Sequence, residues 1–348
     1  MHIKISVPGI YIPEAVITNK DLENIVDTSN EWIVKRTGIK ERRISFDKGI
    51  HEMAVLACLD LKKKLGNYEN IFKNTDEVIF STNYHHRGQD FPNHAGFVAN
   101  KLGINKVIIH DDLAGCAGLI YAIRQAKNNL LSGDVKKVLV CGGERLTDMT
   151  DYNDRNTCVL FGDGAFAYLL EASEDESSEG NRIIETYLSG KPDKGDEFWS
   201  NGYLAMEYKE GKKLQAKKNG IFQTYQRIQN YLVMNGPEIF KYATTALQES
   251  IDEVLKRSGY SYEDVDVIVP HGANIRIINN AEKQLRKKGF KGIIFINLEK
   301  YGNTSTASCA ISQDEAIQEG IIKDGSHVIL VSFGAGLTCG ACLYRANL

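Results

Sequence analysis

Asp112-Leu-Ala-Gly-Cys116-Ala-Gly118-Leu-Ile-Tyr-Ala-Ile123 sets a cysteine between two glycines, at a sharp turn that feeds an apolar run. The run reads as a helix, so Cys116 lies at a helix N-terminus, where unpaired N–H groups and the positive dipole end favour an anion. A thiolate there is stabilised and nucleophilic. Taken singly, a free cysteine is as readily a small packing residue. Two distant segments change that reading: Val267-Ile-Val-Pro-His271-Gly-Ala-Asn274 and Tyr301-Gly-Asn303-Thr-Ser-Thr-Ala-Ser308. Each puts a polar side chain just beyond a strand-like apolar run. An imidazole can take a thiol proton or donate a hydrogen bond, and an amide N–H₂ can steady a developing negative charge without titrating. Separation along the chain is no obstacle to their meeting in space.

Outward from the Cys116 turn, the order of elements repeats. In the first half a helix over 51–65 leads to the strand 77–81, the Cys116 turn and helix, and the strand 137–142. In the second a helix over 238–258 leads to the strand 265–269, the Asn303 loop and helix, and the strand 327–332. The strand-to-strand intervals are each about 60 residues, and the alternation implies α/β layers with largely parallel pairing. Acidic, Ser-rich Ala172-Ser-Glu-Asp-Glu-Ser-Ser-Glu-Gly180 interrupts the pattern and separates a half at 1–175 from a half at 176–348. Superposing the halves sets the Cys116 turn opposite the Asn303 loop across a pseudo-twofold axis. A shared site at the junction follows.

Composition narrows the function classes. The 348 residues are 43% hydrophobic and 25% charged, as in a globular enzyme of one large or two medium domains. A net charge of −3 argues against nucleic-acid binding, which relies on a basic footprint. No run approaches the ~18 apolar residues of a membrane span, and Met1-His-Ile-Lys-Ile-Ser6 lacks a signal peptide's apolar region, so no membrane partner and a cytoplasmic location are expected. The seven scattered cysteines read as reduced thiols. Cys339-Gly-Ala-Cys342 has no second pair with which to build a zinc site and reads as part of a strand; His85, His86 and His94 fall in or beside a polar loop. No metal is expected. Neither Phe161-Gly-Asp-Gly164 nor Phe333-Gly-Ala-Gly336 completes a dinucleotide fingerprint.

Seven motifs in order carry a resemblance that runs nearly end to end. Besides the Cys116, His271 and Asn303 segments, they are Thr28-Ser-Asn-Glu-Trp32-Ile-Val-Lys-Arg36-Thr-Gly-Ile-Lys-Glu-Arg42, Asp154-Arg155-Asn-Thr-Cys-Val-Leu-Phe161-Gly-Asp-Gly164, Met234-Asn-Gly236-Pro-Glu-Ile-Phe240 and Phe333-Gly-Ala-Gly336. The chain resembles the ketoacyl-carrier-protein synthase III family, the condensing enzymes of the thiolase superfamily that start fatty-acid synthesis. The resemblance implies a five-layered αβαβα thiolase fold of two similar halves and a homodimer.

It also implies a mechanism with no cofactor, the CoA thioester being a substrate. Cys116 takes an acyl group from acyl-CoA and a malonyl-carrier protein then loses CO₂. His271 and Asn303 donate hydrogen bonds to the resulting enolate, and the backbone N–H groups of Cys116, Ala335 and Gly336 hold the tetrahedral oxyanion. Thr28, Trp32, Arg36, Arg155, Gly236 and Asn274 match positions that bind CoA, Phe91 and Phe333 match the acyl pocket, and Arg276, with Lys283 and Lys287 at helical spacing, matches a carrier-docking stripe.

Several positions depart from the family pattern. Ala335 stands where a glycine is usual, Gly272 where Gln is usual, and Cys339 where Trp is usual; 83–90 and 190–230 are longer. These departures leave primer identity open, with a specialised-metabolism condensing enzyme or an acyltransferase with a different acceptor as the alternative. The intact Cys116, His271 and Asn303 argue against a non-catalytic partner subunit. A 3-hydroxy-3-methylglutaryl-CoA synthase is disfavoured because Thr82-Asn-Tyr-His85 holds no glutamate base.

Overall fold

The computed structural model describes residues 1–66, 70–83, 92–174, 181–192, 204–210, 214–218, 221–225 and 228–348. Among the described residues the main sheet has eleven strands, of which ten follow one path: β1 His2–Ile5, β2 Glu77–Ser81, β3 Ile108–Asp112, β4 Lys137–Arg145, β5 Asp163–Ser173, β6 Asn181–Gly190, β7 Val267–Pro270, β8 Ile293–Ile294, β9 His327–Gly334 and β10 Thr338–Arg345, while the short strand Gly9–Tyr11 pairs antiparallel with β5 off that path. Their spatial order is β8-β7-β9-β10-β6-β1-β5-β4-β2-β3. Read from the middle, the two sides are the same. β2 pairs parallel with β3 and β4, and β4 antiparallel with β5; β7 pairs parallel with β8 and β9, and β9 antiparallel with β10. The halves join where β1 runs antiparallel to β6, with Ile3 opposite Ile183. The expected duplication is therefore the architecture itself. The expected boundary at Asp175 lies outside the described residues.

Seven of the nine α-helices among the described residues position the site: α1 Asn30–Thr37, α2 Ile50–Lys64, α3 His94–Lys101, α4 Gly118–Ser132, α5 Gly236–Ser258, α6 Ile275–Lys287 and α7 Ser308–Gln318. Strand alternation shows how they layer, because successive side chains leave opposite faces. In β2, Val78 and Phe80 join α2 and α3 in one core, whereas Ile79 faces a second core with α4 and α7. In β9, Val328 and Leu330 face that same second core, and Ile329 and Val331 face a third with α5 and α6. The order is α2/α3, sheet, α4/α7, sheet, α5/α6. The Cys116 helix and the Asn303 helix thus form the buried middle layer, sheltered on both sides.

Local chemistry explains the helix ends nearest the site. Asn235 caps α5, with Pro237 in the first turn, where its missing N–H costs nothing. Asn274 caps α6 by accepting from Arg276 N at 2.9 Å. The described parts of 204–234 form strands. Leu204–Glu210 pairs with Ile228–Met234, and Leu214–Lys218 pairs with Ile221–Tyr225 and touches Ala15–Thr18 at Lys217 opposite Val16.

Candidate active site

Cys116 occupies a single 3₁₀ turn, Gly115–Ala117, between β3 and α4. Gly115 has φ +58°, a conformation that glycine adopts without steric cost. The turn abuts the one after β9, backbone against backbone: a β-carbon on Gly115 would lie 2.6 Å from Ala335 N, and one on Gly334 would lie 2.2 Å from Cys116 N. Ser332 Oγ donates to Cys116 O at 2.6 Å, and Thr338 Oγ1 donates to Ala114 O at 2.7 Å. Ala335 has no positive φ; the left-handed position is Gly336, at φ +125°. Alanine in place of the usual glycine is therefore compatible with the backbone here.

The same strand holds His271. Its N–H donates to Val331 O at 2.8 Å, one residue from the Ser332 that ties down Cys116. The ring is 1% exposed, meets Phe333 edge-on at 5.3 Å, and sets Nδ1 2.6 Å from Ser308 Oγ at the start of α7. Burial pushes its pKa down to about 3, so the imidazole is neutral near pH 7. In the tautomer in which Ser308 donates to Nδ1, the ring proton sits on Nε2 and that nitrogen is a donor.

Asn303 is fixed by its backbone, donating to Leu160 O at 2.8 Å and accepting from Gly162 N at 3.0 Å. Its Oδ1 accepts from Ser305 N at 2.9 Å, which leaves the amide N–H₂ as the end available to a ligand. Ser305 has φ +51°, its hydroxyl accepts from Asn83 Nδ2, and both side chains act to lower the Cys116 thiol pKa against its burial. Cys116, His271 and Asn303 are thus linked at the junction of the halves through Ser332, Ser308 and Ser305.

Burial pushes the Cys116 thiol up to about 11, against lowering by Ser305 and Asn83 and with a further upward push from Glu144, while the residue itself is half-buried. The cysteine sits in the turn before the α4 cap residue Ala117, and loss of hydration dominates there.

The other expected positions fall in two groups. Trp32 lies with Arg155 at 4.3 Å and Arg36 at 5.4 Å from its ring centroid, and Arg155 also reaches Asp27 at 3.6 Å. Thr28 Oγ1 is buried with no hydrogen-bond partner among the described residues. A β-carbon on Gly236 would meet nothing within 4 Å, so packing does not require glycine there. The helix bearing Trp32 packs on α6, where Gly38 approaches Ile275 so closely that a β-carbon would lie 2.7 Å away. On α6, Ile277, Ile278, Ala281 and Leu285 are buried while Arg276, Lys283 and Lys287 face out. None of the three cations makes an ion pair among the described residues, whereas Arg286 pairs with Glu282 and Lys288 with Asp252.

Phe333 is buried against His271, and Phe91, His85 and His86 lie outside the described residues. His94 is buried beside Phe80 and His51. Cys339 and Cys342 join different cores on opposite faces of β10, so that pair cannot share an ion. Among the described residues, no group of three or more His, Cys, Asp or Glu is placed to hold a metal. Nor is any helix among them long and apolar enough to cross a membrane.

Sequence reasoning missed Glu144. It ends the apolar run of β4, is wholly buried, and accepts from Thr82 Oγ1 at 3.3 Å and Ser305 Oγ at 3.4 Å. Its signal was a carboxylate closing a strand that is apolar on both faces, where a charge needs a reason.

Comparison with known proteins agrees with this geometry. Residues 111–192 match the family described as 3-oxoacyl-[acyl-carrier-protein (ACP)] synthase III, and residues 255–346 match its C-terminal part. The beta-ketoacyl-[acyl-carrier-protein] synthase III of Aquifex aeolicus is 39% identical over 345 residues, covering 99% of this chain and 100% of that protein. The crystal structure of 3-oxoacyl-[acyl-carrier-protein] synthase III from Aquifex aeolicus superposes with a TM-score of 0.82 at 38% identity, covering 99% of both chains. A priming beta-ketosynthase from a polyketide biosynthetic pathway superposes equally well, TM-score 0.82, at 28% identity over 99% of this chain and 97% of that one. With a thiolase fold of two similar halves and a cysteine, a histidine and an asparagine at their junction, the chain belongs to the beta-ketoacyl-[acyl-carrier-protein] synthase III family of acyl-transferring, condensing enzymes.

Proposed function

We propose that this chain transfers an acyl group from acyl-CoA to Cys116 and condenses it with malonyl-acyl carrier protein, with loss of CO₂, to begin fatty-acid synthesis. The linkage of Cys116, His271 and Asn303 through consecutive residues of β9 and the first turns around α7 carries this reading. Cys116 Sγ attacks the thioester carbonyl and CoA leaves as its thiol. Loss of CO₂ from the malonyl group places negative charge on an enolate oxygen. The Nε2–H of a neutral His271 and the N–H₂ of Asn303 stabilise it as donors that need no deprotonation. The carbanion attacks the acyl carbonyl, whose oxygen meets the N–H groups of Cys116 and of the Ala335–Gly336 turn, brought close by the Gly334 contact. The reading needs no cofactor.

CoA enters past Trp32, Arg36 and Arg155, with Thr28, Gly236 and Asn274 along its arm, and Phe333 lines the acyl pocket. The unpaired Arg276, Lys283 and Lys287 suit an acidic carrier protein. Two halves, 1–175 and 176–348, meet at the site. A cytoplasmic homodimer is part of the same reading. The edge strand β3 exposes Ile108 at 54% and Ile109 at 39%, followed by Leu113 at 54%, an unpaired apolar edge that a second copy would cover. The likeness to a polyketide-priming ketosynthase keeps a specialised condensing role as the second reading.

Intact-protein mass spectrometry after incubation with a panel of acyl-CoAs tests the reading, with Cys116→Ala as control. A Cys116-dependent adduct that is discharged with CO₂ release on adding malonyl-carrier protein is expected. No adduct from any donor would overturn it, and discharge to another acceptor without CO₂ would favour the second reading.

A further inference from the structure

Arg42 is a cation inside the core. It stands in the strand Glu41–Ile44, is 1% exposed, and makes no ion pair among the described residues. A guanidinium taken from water without a carboxylate is costly to bury, so what it grips matters. Nη1 donates to Asn19 Oδ1 at 2.9 Å and to Ile17 O at 3.3 Å, and Nη2 donates to Val159 O at 2.6 Å. Asn19 is also 1% exposed, and its Nδ2 is held by Ile39 O at 2.7 Å. One end of the fork is thereby anchored, and the other fixes a backbone carbonyl 117 positions along the chain.

Val159 directly precedes the residues on which Asn303 rests. Leu160 O accepts from the Asn303 N–H at 2.8 Å and the Gly162 N–H donates to Asn303 O at 3.0 Å, a parallel bridge that sets Phe161 opposite Asn303. The stem of Arg42 backs this bridge from behind: a β-carbon on Gly162 would lie 3.3 Å from Arg42 Cβ, and one on Gly302 would lie 3.1 Å from it. A single side chain therefore touches both strands of the bridge and holds the carbonyl at its entrance. We infer that Arg42 is a positioning residue for Asn303: it fixes the 159–162 segment and the Gly302 turn, and so keeps the Asn303 N–H₂ where the enolate oxygen develops.

The inference rests on Asn303 being an enolate donor. Nothing is transferred through Arg42. Burial pushes it down to about 10, which still leaves a cation with its full set of donors at pH 7. The task suits arginine because a planar fork reaches two acceptors at fixed geometry, whereas an ammonium is a point donor. Asn303 serves the decarboxylation and not the acylation, so loss of Arg42 should separate the two half-reactions.

The test is Arg42→Met, which keeps an apolar stem and removes the fork. Amide hydrogen exchange, read by mass spectrometry of the segments holding Asn303 and Gly162, should quicken about tenfold or more there and stay unchanged at His271, whose N–H is held by β9. CO₂ release at saturating malonyl-carrier protein should fall about 100-fold, the scale of a displaced donor. Acylation of Cys116 should stay within about threefold. It is measured at saturating acyl-CoA because Asn19 also bonds Asn30, at the start of the Trp32 helix. In an Asn303→Ala background, adding Arg42→Met should slow CO₂ release by no more than about threefold, since the group it positions is gone. Equal losses in both half-reactions, losses that multiply in the double variant, or unchanged exchange at Asn303 would each overturn the assignment. Arg42→Lys keeps the charge without the fork, should move the same readouts in the same direction, and carries the test if Arg42→Met does not fold. Misfolding of both would make Arg42 a support of the fold as a whole and overturn it too. If wild type releases no CO₂ from malonyl-carrier protein while Arg42→Met still loosens the Asn303 amide, the functional reading fails and the hold on Asn303 stands.

Discussion

A β-carbon at Gly334 would sit 2.2 Å from the Cys116 amide nitrogen, 2.9 Å from the Gly115 carbonyl carbon and 3.0 Å from the Ala117 nitrogen. All three are backbone atoms, so no side chain can rotate away. Reaching ordinary contact near ~3.5 Å requires the two turns to part by about 1 Å. Overpacking of this kind costs about 1–3 kcal/mol of stability. The larger effect is on chemistry, because a displacement of about 1 Å at a reacting atom can cost about 100-fold in rate. The displaced atoms are the nucleophile's own backbone and the proposed oxyanion donors. Gly334→Ala is therefore expected to lower the Cys116 acylation rate about 100-fold while leaving a folded protein. Stopped reactions weighed by intact mass give the rate, and urea unfolding gives the stability. Gly272→Ala is the matched control beside the other catalytic residue: its β-carbon would meet Leu298 at 3.7 Å and Ser308 at 4.0 Å, ordinary distances. That variant should stay within ~0.5 kcal/mol and a few-fold of wild type. Wild-type acylation by Gly334→Ala would refute the argument that the contact between the two turns positions the nucleophile.

Ser308→Ala leaves His271 Nδ1 buried without its partner, which should cost about 1–3 kcal/mol. It should also free the ring tautomer, so condensation measured by CO₂ release should slow while Cys116 acylation does not, and Ser308→Thr should restore it. Trp32→Ala removes the ring that Arg155 and Arg36 cover. At about 0.5–1 kcal/mol per contact, KM for acyl-CoA should rise about tenfold in steady-state assays with kcat nearly unchanged. Stability should fall as pH rises from 6.5 to 8. The carboxyls of Glu144 and Asp163, raised to about 8 and about 7, stay protonated in the folded chain while the unfolded chain has already ionised them. The limit is about 1.4 kcal/mol per pH unit for each group still protonated. His271, lowered to about 3, acts in the opposite sense, but only below its unfolded value of 6.5, as the unfolded chain gains the proton first. Urea midpoints across pH 6.5–8 check this, and a flat profile would show that these carboxyls are ionised in the folded protein.

Much of the fold was legible because its signals are local. Apolar runs such as Glu77–Ser81 and His327–Gly334 marked the buried strands, and the repeated order of strand, turn and helix anticipated a sheet whose two sides match. The Cys116, His271 and Asn303 segments were legible because each sits just past an apolar strand, where loops carry chemistry. The burial acting on the thiol was not legible there. Helix position is visible in sequence, whereas burial is not, and burial dominates the Cys116 and His271 protonation states.

Glu144 marks the same divide. Its strand was identified, and an acidic residue at its end could have been a solvated terminus. Only folding brings Thr82 and Asn83 from the end of one parallel strand, and Ser305 from the opposite half, onto that carboxylate. Along the chain, the residues supplied the elements, their amphipathic faces and the chemical types at the site, all set by neighbours within a few positions. Which groups share a hydrogen bond, which lose their water, and therefore which are charged were decided by contacts between residues 60 to more than 200 positions apart, within the first half and between the two halves, and those exist only in the folded chain.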